Sequence, residues 1–226
     1  MKGPTKKAIL DSFEAVREQL SPYALRRFEA SGMLSEAFVE ALIRDDAFDA
    51  VQARTVANFQ ASGTRWVRSL PGGAAGVGFN ILDPGMVPAL QALDSAVVKS
   101  LSDLIVPTVK EVVQQGIEQG HDIQRIGRAL RSTVGLSVRD AKAVFRFRKE
   151  LDGTSPGPIL RRRLRDARFD PTIRKMGTKP LTAVQKNNMT AAYLRRLQAH
   201  NANVIAGTLV RDTARLAQHQ ATGPGG

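Results

Sequence analysis

The sequence has no cysteine, few aromatic residues and no long apolar run. Without cysteine, neither a disulfide framework nor thiolate metal ligation or catalysis can operate. Aromatics make up 5% of the chain, whereas Ala, Leu, Arg and Gln are plentiful, which favours helices over strands. No stretch of 18 apolar residues is available to cross a bilayer. The opening "MKGPTKKAILDSFEAV" meets acidic residues where a signal peptide would carry an uninterrupted apolar region. A protein made in the cytosol, without membrane association, is therefore expected.

What is present is positive charge, and it is unevenly placed. Residues 1–120 carry 12 Lys/Arg against 14 Asp/Glu, which is −2, and residues 121–226 carry 21 against 7, which is +14. The first part suits protein neighbours and the second a polyanion, although many soluble basic proteins bind nothing anionic. At 226 residues with 42% hydrophobic content, the chain can bury one large core or two small ones.

Hydrophobic periodicity gives a mostly α, elongated multi-helix protein. A first helix is expected over Lys6–Leu20, through Ile9, Phe13 and Val16, and "SPY" at 21–23 opens another. A third runs from Ser35 to Ser62; its acidic residues Glu36, Glu40, Asp45, Asp46 and Asp49 read better as a solvated face than as a metal or acid/base cluster. Residues 63–85 show no helical pattern and are expected to form a Gly-rich loop or small β-hairpin carrying Trp66 and Phe79. The glycines there fit neither the phosphate-loop nor the dinucleotide spacing.

Helical pattern resumes from Met86 to Gly120, with a kink or break expected at Pro107. Gly120 and Gly135 bracket a short helix with Ile123, Ile126 and Leu130. The Pro/Gly-rich "DGTSPGPI" reads as an internal linker. A last, very long helix is expected over about 181–220, on the order of 60 Å at 1.5 Å per residue. The domains expected are 1–119, helical with the Gly-rich loop, and 120–226, basic and helical.

The segment "GLSVRDAKAVFRFRKEL" at 135–151 shows how the charge is organised. Ser137 and Asp140 have capping-box spacing, so the helix starts there. Arg139, Lys142, Arg146 and Lys149 then share one stripe, while Ala141, Val144, Phe145 and Leu151 share another and are expected to pack inward. Like charges at such spacings repel, which suggests a counter-charge outside the helix.

A second cluster, Arg161, Arg162, Arg163, Arg165, Arg168, Arg174 and Lys175, points the same way, because the guanidinium fork matches phosphate. Zinc-finger spacing, basic zipper heptads and an aromatic platform are all missing, so any nucleic-acid contact should be non-specific and salt-sensitive. The same arginines could instead meet acidic protein surfaces.

Three segments carry a family resemblance: "GLSVRDAKAVFRFRKEL", "LRRRLRDARFDPTIRKM" and "KPLTAVQKNNMTAAYLRRLQAHNANVIAGTLVRDTARLAQHQA". In order and spacing they resemble the phage Mu F-like minor head proteins of tailed phages, over about 120–220. The family's "ARTE" stands here as Ala206, Gly207, Thr208 and Leu209, so its Arg and Glu are absent.

The resemblance implies a virion protein in several copies per particle, at the head interior or portal vertex, present in the host cytoplasm during assembly. It would touch portal protein, major capsid protein or both, and packaged double-stranded DNA, and act in head assembly and genome packaging or ejection. Trp66, Phe79, Leu194 and Leu197 are candidate protein-interface residues. A free DNA-binding packaging factor is the alternative. An enzyme is disfavoured: His121, His200 and His219 lack catalytic spacing, and no cofactor or metal is expected.

Overall fold

The structure, a computed structural model, describes residues 2–20, 45–70, 79–81 and 86–222. These are mostly α, and no strand occurs among them. In chain order the helices are α1 (Lys2–Gln19), α2 (Asp49–Ser69), α3 (Val87–Glu118), α4 (Ile123–Thr133), α5 (Val138–Glu150), α6 (Gly157–Leu160), α7 (Asp170–Arg174) and α8 (Ala183–Thr222). Short 3-10 turns at Asp45–Phe48 and Ala167–Phe169 lead into α2 and α7.

The chain divides into two compact units. Met1–Gln19, Glu40–Asp103 and Ala202–Gly226 form the first; Leu20–Val39 and Leu104–Asn201 form the second. Helices α3 and α8 contribute to both, and the boundary read at residues 119–120 falls inside the second unit.

In the first unit, α1 buries Ile9, Phe13 and Val16, spaced by four and three residues, against α2 and the turn before it, where Phe48, Val51 and Phe59 are buried. Each large side chain so buried contributes roughly 1.5–3 kcal/mol. One buried polar pair ties the two helices, Asn58 Nδ2 donating to Thr5 Oγ1 at 2.9 Å.

The α2 helix continues to Ser69, so the irregular stretch expected from residue 63 does not begin there, and the half-buried Trp66 is helical. Gly63 matters within this helix. A Cβ on it would lie 2.4 Å from the ring of Phe79, and without one that ring packs edge-on to Phe59, 5.2 Å between centroids. Of the expected 63–85 loop, residues 71–78 and 82–85 lie outside the described residues, as do "SPY" and the start of the helix expected at Ser35.

The core of the second unit gathers Leu136, Phe147, Leu151, Ile159, Ile173, Met176, Leu181, Met189, Tyr193 and Leu197. The Pro/Gly-rich stretch after Leu151 is thus no linker between domains, because Leu151 and Ile159 at its two ends are buried in one core. Gly120 and Gly135 have φ of 63° and 80°, a region that favours glycine, and they flank α4 as expected. Asp122 caps that helix by accepting from the Arg125 N–H at 2.7 Å.

Pro107 does not break α3. It lacks the N–H that would pair with the Asp103 carbonyl, yet the helix continues past it. Helix α8 runs through Gly207 without interruption and opens on a reciprocal cap: Thr182 Oγ1 accepts from the Gln185 N–H at 3.2 Å, and Gln185 Oε1 accepts from the Thr182 N–H at 2.9 Å. About eleven turns of helix therefore start at a defined residue.

Candidate nucleic-acid interface

Residues 104–201 carry 20 Lys/Arg against 8 Asp/Glu, which is +12, the net charge of the whole chain. All eight of those carboxylates are already engaged. Glu111, Glu150, Asp152, Asp166 and Asp170 form salt bridges within the unit. Glu118 accepts from Gln114, and Asp122 and Asp140 cap helices. Within residues 104–201 no carboxylate is left for the remaining cations, so they add to the field around this part of the chain.

Helix α5 begins as its sequence dictates. The Asp140 N–H donates to Ser137 Oγ at 3.2 Å, and that hydroxyl donates to Asp140 Oδ2 at 2.8 Å. The α8 helix holds the preceding turn: Gln198 Nε2 donates to the Val134 carbonyl at 2.7 Å, and Asn201 Nδ2 donates to the Gly135 carbonyl at 3.1 Å and to Asp140 Oδ2 at 3.0 Å. These two amides orient α5, and sequence reasoning did not single them out. Their only signal was a pair of amide side chains three residues apart on a helix that otherwise buries apolar groups.

With α5 so placed, Arg139, Arg146 and Lys149 are exposed and form no salt bridge among the described residues. Lys142 differs: its Nζ lies 2.8 Å from Glu111 Oε1, and this bond holds the Glu111 carboxyl below its ordinary range. Of the apolar stripe, Leu151 is buried and Ala141 and Val144 pack against the core as expected, but Phe145 does not. Phe145 is 63% exposed, and Phe147 is the ring that enters the core.

The arginine cluster sorts by direction. Arg162 points inward and grips Glu150 with both arms of its fork, at 2.8 Å from Nε and 2.7 Å from Nη2. Its Nη1 donates to the Tyr193 hydroxyl at 3.2 Å, and its guanidinium lies over the stacked rings of Phe147 and Tyr193, 5.7 Å and 5.5 Å from their centroids. The bond to Glu150 raises its pKa further above the ordinary arginine value.

Arg165 grips Asp170 in the same bidentate way, at 3.0 and 2.8 Å. Arg168 donates to Asp166, whose side chain is only 3% exposed and also lies 3.3 Å from Arg196. Hydrogen bonding from Arg168 dominates this site and lowers the Asp166 pKa to about 2. By contrast Arg161, Arg163, Arg174 and Lys175 are exposed and form no salt bridge among the described residues.

Of eleven nominated cations, then, Arg139, Arg146, Lys149, Arg161, Arg163, Arg174 and Lys175 are open to an external anion. Lys142, Arg162, Arg165 and Arg168 each have a carboxylate partner inside the unit. Arg125, Arg128, Lys179 and Arg195, which the sequence reading passed over, are also exposed without a salt bridge among the described residues. Three sit singly along the chain and Arg195 stands only beside Arg196, so no longer run of basic residues marked them.

The interface candidates fare differently again. Leu197 is 4% exposed in the second core, Leu194 packs against it and Phe79 packs in the first unit, so these three serve folding. Among the described residues no three His, Asp or Glu side chains gather as a metal site, and no helix is long and apolar enough to cross a membrane.

Compared with known proteins, the chain matches no family model, no curated protein and no solved structure.

Proposed function

We propose that the chain is a structural minor head protein of a bacteriophage or phage-like particle, held at the portal or inner capsid and touching packaged duplex DNA without sequence preference. The observation that carries the DNA contact is the set of seven exposed cations within residues 104–201, where every carboxylate has an internal partner. Phosphate contacts of this kind need no base-reading element.

The head-protein reading rests on the resemblance of three segments, and their folding supports treating them as a module. Phe147 from the first, Ile173 from the second and Tyr193 from the third share one core, and Arg162 of the second bonds Glu150 of the first and Tyr193 of the third.

Peptide mass spectrometry of purified DNA-filled particles tests the reading. The chain should be recovered as a low-copy virion component. Recovery only from the unassembled cytoplasmic pool would favour a free DNA-binding packaging factor that uses the same cations.

A further inference from the structure

Helices α3, α4 and α5 of the second unit line a groove of about 640 Å³. Its floor is apolar, made by Val112 and Gly116 of α3, Ile126 and Ala129 of α4 and Val144 of α5. Gly116 is required for that shape: a Cβ there would lie 2.5 Å from Ile126 Cγ1. Phe145 stands at the lip, 63% exposed. The volume is within the roughly 300–1,000 Å³ of ordinary ligand clefts.

One wall is positive and incompletely paired. Lys142, Arg146 and Arg148 line it from α5, and only Lys142 has a carboxylate, Glu111 of the opposite wall. Arg148 Nη1 has neither solvent contact nor a hydrogen-bond partner. Asp152 feels the charge of Arg148, yet its carboxylate is bonded to Lys186 Nζ at 2.7 Å. The exposed Arg146, with no salt bridge among the described residues, beside an apolar floor suits a ligand with both a carboxylate and apolar groups.

A phosphate backbone offers nothing to cover Phe145 or the floor. An amphipathic helix does: apolar side chains at i, i+3, i+4 and i+7 fill the groove while carboxylates along one edge face α5. We infer that this groove docks an acidic amphipathic helix of a protein partner. The inference is independent of the DNA contact, which uses other side chains apart from Arg146.

The test uses the full chain and four probes: a helical peptide of about five turns with leucines at the anchor spacing and flanking glutamates, its lysine counterpart, dodecanoate and a short DNA duplex. The glutamate peptide should bind at least about tenfold more tightly than the lysine one, and Phe145→Ala or Arg146→Gln should each weaken it at least about tenfold. Amide resonances of Val112, Gly116, Ile126 and Ala129 should shift on binding.

Equal binding of the lysine peptide, no binding of either, or indifference to Phe145→Ala would overturn the inference. So would groove shifts with dodecanoate alone, which would make the cleft a small-amphiphile site. Duplex binding should be unchanged in Phe145→Ala, so loss of the peptide and loss of the duplex report on separate claims.

Discussion

Replacing Arg161 and Arg163 together by glutamine removes two of the seven exposed cations that α5 and the 161–175 cluster present without a salt bridge, and touches none of the internal pairs. If each cation neutralises one phosphate, duplex affinity should fall with salt at a log–log slope of about −6, since each contact contributes about −0.9. Between about 50 and 200 mM salt that is a loss of roughly 6,000-fold. With five cations left, the slope becomes about −4.5 and the loss roughly 500-fold. Fluorescence anisotropy with a labelled duplex, titrated at several salt concentrations, measures both. Arg165→Gln is the control, because Arg165 is committed to Asp170 and its removal should leave the slope near −6 while the unit stays folded. An unchanged slope in the double variant, or an equal fall in Arg165→Gln, would refute the division into outward and inward arginines.

Other consequences concern the second unit's stability. Leu197→Ala, at a side chain only 4% exposed, should cost about 2–5 kcal/mol in urea unfolding, and a cost near zero would contradict its place in the core. Gln198→Ala leaves the Val134 carbonyl without its buried donor and should cost about 1–3 kcal/mol; no change in the denaturation midpoint would show that the amide does not hold the turn. Asp166 titrates near 2 when folded against its ordinary 3.8, so the unfolded chain protonates first; the pairing stabilises fully above pH 4 and is lost as pH falls towards 2. The melting temperature should therefore drop over that window. Asp166→Asn should melt lower at neutral pH and show a shallower acid slope; an identical slope would exclude Asp166 as the titrating group.

The helices were legible in the sequence because their signals are local. Ser137 with Asp140, and the glycines at 120 and 135, mark ends that the backbone observes. Where the reading failed, a tertiary contact decided. Gly63 looked like the start of a loop, but it is a notch in α2 for the ring of Phe79. Pro107 looked like a kink or break, but losing one hydrogen bond does not end a 32-residue helix that buries Leu101, Ile105, Val109 and Val113 around it.

Phe145 and Phe147 show the same limit within the candidate site. Helical spacing put Phe145 with Val144 on the inner stripe, yet the stacking of Phe147 on Tyr193 decides which ring goes inside. Three successive arginines at 161–163 are indistinguishable as a string. Only the position of Glu150, twelve residues before Arg162, turns the middle one inward.

Ultraviolet crosslinking of purified DNA-filled particles, followed by peptide mass spectrometry, is the most direct measurement of the central claim. The account predicts that the chain is present and that nucleotide adducts fall on peptides spanning Arg161 to Lys175 and on the exposed face of α5. Particles that lack the chain, or that contain it with no adduct in either region, would contradict it.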